Sequence, residues 1–210
     1  MPTYVYHHTH FENLSGILRS GGLCCDRICQ ASTLTVRGIA YQNLKARRMT
    51  TPVEVAPGGT LGDYVPFYFG PRSRMLYAYA HGDVTGRPEG QDDIIYIVSS
   101  VEAVARAGLP FVFTDGHPVK EPKAFFNDLT DIGQVDLRLM GERYWNDTNE
   151  DPDRKRRRQA EFLVWKRFPW QLVLGLATRT NNMLAQLTRV IGGSGPSCPP
   201  CALRPNWYYQ

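Results

Sequence analysis

Long apolar runs are missing from this chain of 210 residues. None approaches the roughly 20 residues that a membrane-spanning helix needs, so no membrane partner is expected. The N-terminal stretch Met-Pro-Thr-Tyr-Val-Tyr-His-His-Thr-His also lacks the basic start and apolar core of a secretory signal, and the expected compartment is the cytoplasm. No Gly-x-Gly-x-x-Gly follows a strand pattern and no Walker A string occurs, which disfavours Rossmann and P-loop nucleotide enzymes. Internal repeats and long linkers are absent too. The length fits a single domain over residues 1–210 with a substantial core. Cysteine is scarce and odd in number: Cys24, Cys25, Cys29, Cys198 and Cys201. Without a signal peptide this argues against a disulfide framework. Cys198-Pro-Pro-Cys201 has the spacing of a zinc half-site, but Cys24 or Cys25 with Cys29 does not make a usual second knuckle, so buried or loop thiols are the reading and no metal is expected.

What is present is an ordinary globular composition, 42% hydrophobic and 21% charged. Net charge is only +4, which suits a polyanionic partner without specifying one. Its distribution says more, because Arg154-Lys155-Arg156-Arg157-Arg158 is a block of five cations.

Alternation of aromatic and β-branched residues predicts a strand over residues 3–9. Leu14, Ile17 and Leu18 at helical spacing predict a helix from Phe11 to Ser20, stopped by Gly21-Gly22. A second helix is expected over residues 36–48, a strand over 64–69, and a helix from Ser73 to Ala80. A strand over 94–99, a short helix over 101–107 and a strand over 111–114 follow. Further strands are expected over 162–165, 172–178 and 207–209, with a long surface loop or a helix entry at 142–158 and a loop at 192–200. Strands and helices mix without a regular βαβ alternation, which points to an α+β fold with mainly antiparallel pairing.

Three segments far apart in sequence carry chemistry. In Tyr6-His7-His8-Thr9-His10, a histidine and a hydroxyl two residues apart share one side of a strand and can grip a ribose or carboxamide. In the segment from Tyr64 to Tyr77, flat side chains capable of stacking on a nicotinamide or adenine ring precede a Gly-Pro turn and a serine that opens a helix. In Arg158-Gln159-Ala160-Glu161-Phe162-Leu163-Val164-Trp165, a carboxylate stands at the mouth of an apolar strand, where burial is costly without partners. Each segment alone also fits a structural role: a satisfied histidine, an aromatic core, a glutamate paired with a nearby arginine.

Together and in this order, they resemble the His-Tyr-Glu signature of the ADP-ribosyltransferase superfamily. In the poly-ADP-ribose polymerase branch, a His-Gly-Ser/Thr strand, a Tyr-Phe-Ala strand leading to a serine-containing helix, and a Glu-Tyr-Ile-Val strand form the site. His7-His8-Thr9, Tyr68-Phe69-Gly70 with Ser73, and Glu161-Phe162-Leu163-Val164 stand in those places. The family's middle glycine is His8 here, and the shortened spacing leaves Tyr68 and Tyr77 both open for the ring-stacking role. Nearly the whole chain resembles the DarT family, through Thr9-His10-x-x-Asn13-Leu14-x-x-Ile17-Leu18, Tyr64 to Phe69, Gln91-Asp92-Asp93, Phe113-Thr114-Asp115, Tyr144-Trp145-Asn146-Asp147 and Arg158 to Val164. The strings Val-Pro-Phe-Tyr-Phe and Gln-Ala-Glu-Phe-Leu-Val are the most specific of these.

That resemblance implies an ADP-ribosyltransferase fold, with a mixed, mainly antiparallel split sheet and peripheral helices. It implies a toxin-type glycosyltransferase that moves ADP-ribose from NAD, as co-substrate, to a base in single-stranded DNA, thymidine in the best-known branch. A macrodomain antitoxin is the partner implied. Glu161 would stabilise charge developing on the nicotinamide ribose. His7, Thr9 and the backbone at His8 would hold the ribose and carboxamide. Asn13 and Lys45 would add contacts to NAD, as would Phe69 and Ser73 of the central motif. In the family the basic stretch Lys45-Ala46-Arg47-Arg48 would face the cleft, and Arg48, the second catalytic candidate, would contact an NAD phosphate or polarise or orient the target base. The loop before Glu161, with Tyr144, Trp145 and Asn146 followed by Arg154, Lys155, Arg156 and Arg157, would bind DNA by stacking and by charge. Two alternatives stay open: transfer to protein, RNA or guanosine, and a nucleic-acid-binding module without catalysis.

Overall fold

The computed structural model describes residues 2–32, 36–39, 41–84, 90–192 and 198–209. Their centre is an eight-stranded sheet. Its strands in chain order are β1 (Tyr4–His10), β3 (Tyr64–Tyr68), β4 (Ile94–Ser100), β5 (Phe111–Thr114), β6 (Phe125–Phe126), β7 (Glu161–Trp165), β9 (Gly175–Thr178) and β10 (Cys201–Leu203). A two-stranded ribbon of β2 (Gly22–Cys24) and β8 (Arg167–Pro169) lies beside it. The spatial order is β10-β9-β4-β1-β3-β7-β5-β6, antiparallel throughout except for β9–β10. The helices are α1 (Leu14–Arg19), α2 (Asp26–Ala31), α3 (Gln42–Arg48), α4 (Arg74–Ala80), α5 (Val101–Arg106), α6 (Leu137–Gly141), α7 (Arg154–Arg157) and α8 (Asn181–Gly192).

Successive strand residues face opposite ways, and both faces of the sheet are covered. Ile95 and Ile97 of β4 meet Phe67, Phe162 and Val164 in one core, whereas Ile94 and Tyr96 meet Leu76, Tyr79 and Tyr208 in another. Burial on two sides is why these strands are continuously apolar in sequence. Met183, Leu187 and Ile191 of α8, four residues apart, close the first core. The seam between β1 and β3 is different. Those strands share a single registered pair, Tyr6↔Tyr68, whereas β1 pairs with β4 over seven residues. The sheet therefore parts into two four-stranded halves at this seam, and the space so opened holds the site.

Several boundaries differ from expectation. Over residues 36–48 only Gln42–Arg48 is helical among the described positions. Residues 170–172 form a 3-10 turn, so the expected strand over 172–178 shortens to Gly175–Thr178. The strand expected over 207–209 is instead a 3-10 turn, Pro205–Trp207, which Pro205 opens at a position that needs no N–H, followed by irregular backbone. In the expected loop over 192–200, residues 193–197 lie outside the described residues.

Gly70 follows β3 where α6 crosses closest. A Cβ there would stand 2.5 Å from the backbone carbonyl of Met140, which cannot swing aside as a flexible side chain would. Gly70→Ala is expected to destabilise the fold by about 1–3 kcal/mol, read as a fall in the thermal midpoint. An unchanged midpoint would mean that α6 shifts freely.

Candidate functional site

Glu161 opens β7 directly opposite Tyr68 of β3. Its backbone N–H donates to Thr114 Oγ1 (3.0 Å), whose own hydroxyl donates to the Gly116 carbonyl (2.7 Å), so the strand start is pinned to β5. The residue is 5% exposed. Its partner comes from the end of α3: Arg48 Nη1 donates to both carboxylate oxygens, at 2.8 and 3.2 Å. Both groups are buried, so the pair is charge-assisted and poorly screened. Burial pushes the Glu161 pKa above the ordinary glutamate value, and Arg48 pulls it back only in part. Burial also works against the charged Arg48, but the charge and hydrogen bond of Glu161 outweigh it and leave that pKa raised.

Two cavities meet at this carboxylate. The first, of about 340 Å³, is lined by His7, His8, Thr9, Asn13, Lys45, Arg48, Tyr68 and Glu161 among others. The second, of about 870 Å³, also includes Tyr68 and Glu161, with Arg47, Arg72, Arg74, His117, Lys120, Arg143, Tyr144, Trp145, Asn146 and Lys155. Six of these are cations, against Asp83 and Glu161 as the acids of the lining among the described residues, so the second cavity suits an anionic ligand.

In the first cavity, His8 Nε2 and Ser73 Oγ are 2.9 Å apart, and Ser73 also caps α4 by accepting the Leu76 N–H. The His8 ring stacks on Tyr68, centroids 5.1 Å apart. Burial, with His7 adding to it, pushes the His8 pKa down to about 3, so the ring is neutral near pH 7. His7 Nδ1 bonds the Pro66 carbonyl at 2.8 Å, and burial lowers its pKa as well. Two buried polar atoms lining this cavity, His8 Nδ1 and Arg48 Nη2, have no hydrogen-bond partner among the described residues. Polar atoms left so in a cavity fit a polar ligand.

A family model described as DarT, ssDNA thymidine ADP-ribosyltransferase, matches residues 6–209. The chain belongs to the DarT family. Among curated relatives, a DNA ADP-ribosyl transferase of Thermus sp. (strain 2.9) is 42% identical over 99% of this chain and 97% of its own length. One of Escherichia coli O127:H6 is 33% identical over 87% and 83%. Among solved structures, Thermus sp. 2.9 DarT in complex with ADP-ribosylated ssDNA matches at TM-score 0.90 with 40% identity, covering 99% of this chain and 97% of that one. The same protein in complex with NAD+ matches at 0.86 with 39% identity over 99% and 98%. The α+β ADP-ribosyltransferase fold is thereby established.

In this DarT-family chain the expected site residues separate into groups. His7, His8, Thr9, Asn13, Lys45, Arg48, Tyr68 and Glu161 come together in the first cavity. Of the two tyrosines left open for ring stacking, Tyr68 lines both cavities, whereas Tyr77 lines the second and stacks on His81. Phe69 is a correction. It lies in the core, edge-on to Phe162, because strand alternation turns it away from the side that Tyr68 presents. Ser73 likewise bonds His8 rather than lining either cavity. Both amide hydrogens of Asn13 are engaged, by Thr9 Oγ1 (2.9 Å) and the Arg37 carbonyl (3.0 Å), and its oxygen accepts the Arg37 N–H (2.8 Å). Its main work is therefore to hold the chain around residue 37 over the cavity.

The cationic block is also redistributed. Arg156 bonds Asp153 and Asp115, Arg157 bonds Asp136 and Asp151, and Arg154 donates to the Tyr144 carbonyl (2.9 Å). Arg158 is buried at 2% exposure. Of the four expected DNA-binding cations, Lys155 alone lines the second cavity, beside Tyr144, Trp145 and Asn146. Arg47, from the basic stretch expected to face the cleft, stands around it with charges that the sequence does not single out, Arg72, Arg74, Lys120 and Arg143. His117 is another such residue. Its Nδ1 accepts the Val119 N–H (3.1 Å), so the neutral ring carries its proton on Nε2, and burial with nearby cations pushes its pKa down to about 4. Only the turn signal Asp115-Gly116 before it could have marked the position. Among the described residues no group of three His, Cys, Asp or Glu side chains is placed to hold a metal, and no helix is long and apolar enough to cross a membrane.

Proposed function

We propose that this chain, acting as one domain, transfers ADP-ribose from NAD to thymine in single-stranded DNA and releases nicotinamide. The observation that carries this reading is the position of Glu161 at the junction of two cavities, one lined by histidine, threonine and asparagine side chains able to hydrogen-bond a sugar and one ringed by cations and aromatics. The first takes the nicotinamide riboside end of NAD. His7, Thr9 and the backbone at His8 hold its hydroxyls and carboxamide, Tyr68 covers the ring, and Lys45 and Nη2 of Arg48 face the diphosphate. Arg48 lines this cavity and not the second, which favours a role with the dinucleotide over one with the base.

In the reaction the bond between ribose C1 and the nicotinamide nitrogen breaks, and nicotinamide leaves with the electron pair. The charge developing on the sugar lies against the Glu161 carboxylate in a water-poor site, where its attraction is strong. A thymine nitrogen then bonds to C1 and gives up its proton. A guanidinium cannot take it at neutral pH. Glu161 reaches both cavities, and its raised pKa suits it to accept. The His117 Nε2–H donates to a base carbonyl as charge builds there. Tyr144 and Trp145 stack on neighbouring bases while the cations track phosphates. An unpaired strand is the natural acceptor, since duplex must first be unstacked. DNA and NAD as substrates fit work in the cytoplasm, and a macrodomain antitoxin that removes the modification completes the reading of a toxin.

Incubation with NAD and single-stranded DNA, duplex DNA, RNA or protein separates this reading from the alternatives. Nicotinamide release coupled to labelling of single-stranded DNA is expected; label on protein or RNA alone would reject the acceptor. Lys155→Glu with Arg74→Glu is expected to weaken single-strand binding and to flatten the slope of log affinity against log salt by about 0.7 for each phosphate no longer neutralised. An unchanged slope would remove the second cavity from DNA binding.

A further inference from the structure

The turn between β3 and α4 carries a strained residue. Arg72 adopts φ 58°, in the left-handed region that residues with a Cβ disfavour. Such strain persists only where the surroundings over-determine it. Three groups from distant parts of the chain do so. Arg158 Nη2 donates to the Pro71 carbonyl (2.7 Å), and the Arg72 N–H donates to the Tyr96 hydroxyl (3.3 Å). The Tyr209 hydroxyl donates to the carbonyls of Arg72 and Ser73. Tyr209 is itself held firmly. The Gln91 side-chain amide donates to its carbonyl (2.9 Å) and accepts its N–H (3.0 Å), and its ring meets Tyr77 edge-on at 5.1 Å. Arg158 adds weight to this view. It is a buried cation that no carboxylate among the described residues accompanies, and its reach to one carbonyl is costly unless the place of that carbonyl matters. The clamped turn sets the Arg72 side chain along the second cavity, where its Nε is buried with no partner among the described residues.

We propose that Tyr209 is a positioning residue for the acceptor step: through the strained backbone of Arg72 it sets that guanidinium against a phosphodiester of the incoming strand. This rests on the DNA-modifying reading above. The energetic logic is preorganisation, since an arginine held in place before binding gives up less freedom when the strand arrives.

Tyr209→Phe keeps the ring and removes the hydroxyl. It is expected to raise the KM for single-stranded DNA by about five- to tenfold, the effect of one or two hydrogen bonds that orient a charged contact. The KM for NAD is expected to stay within about twofold, because the first cavity is untouched. Arg72→Gly accepts φ 58° without strain and lacks the guanidinium. In that background Tyr209→Phe is expected to add nothing further, as only a coupled pair would behave. An unchanged KM for DNA, a matching rise in the KM for NAD, or additive effects in the double variant would each overturn the proposal. Failure of the wild-type protein to label DNA would overturn the proposed function and this inference with it. Labelling by the wild type with indifference to Tyr209→Phe would sink the positioning role alone.

Discussion

Glu161→Gln is expected to lower ADP-ribose transfer by about 10²–10³-fold, the loss typical when one preorganised stabilising group is removed from a developing charge. The substitution keeps length, shape and an oxygen that can still accept from Arg48 Nη1, now 2.8 Å from a carboxylate oxygen. What it removes is the negative charge facing both cavities. NAD affinity should change little, because the proposed ground-state contacts, His7, His8, Thr9 and Tyr68 of the first cavity, are left in place. Single-turnover transfer to an oligonucleotide, with NAD binding followed by calorimetry, checks both halves. Transfer near the wild-type rate would remove Glu161 from the chemistry. A large loss of NAD binding would make it a binding residue instead.

The second large effect concerns the partner. Arg48→Met leaves a buried carboxylate without its cation, a change that costs about 3–5 kcal/mol in comparable pairs and lowers the thermal midpoint by roughly 10 °C in a chain of this size. The Glu161 pKa already stands above its ordinary value because burial outweighs the pull of Arg48, and losing that pull raises it further. The sign follows. A carboxyl whose pKa is raised by folding favours the folded state below its unfolded pKa, and that contribution is lost as pH climbs through the raised folded value. The stability deficit of the variant is therefore smallest in acid and grows toward neutral pH. Activity runs the other way under the proposed mechanism, in which the ionised carboxylate works: residual transfer should rise with pH into a more alkaline range than in the wild type. Thermal midpoints and transfer rates across pH test this. A midpoint and profile matching the wild type would show that the pair contributes neither stability nor charge control.

Much of the fold is legible in sequence because its elements are local. The strand at Ile94–Ser100 and the strand at Glu161–Trp165 announce themselves by apolar runs, and Ser73 announces α4 by capping it. The helix Asn181–Gly192 escapes such a reading, although Met183, Leu187 and Ile191 mark its buried face, because polar residues between them dilute the pattern. The strand expected over 207–209 fails for the opposite reason: three aromatic residues satisfy strand propensity, yet they serve as anchors, with Tyr208 donating to Ile94 and Ala177 and Trp207 packing on Tyr6.

By itself, the order of residues singled out the side chains to which the chemistry is assigned in the proposed function: a histidine–threonine strand, an aromatic strand and a glutamate at a strand mouth, in the order of the DarT family. Tertiary structure alone decided how those groups divide between two cavities. It brought Arg48 to Glu161 across 113 positions, turned Phe69 into the core while leaving Tyr68 in the cleft, and neutralised Arg156 and Arg157 with aspartates. The physical reason is range. Backbone preference and hydrophobic periodicity act within a few residues and are written along the chain, whereas ion pairing, desolvation and cavity walls depend on distances in space that exist only once the sheet has closed.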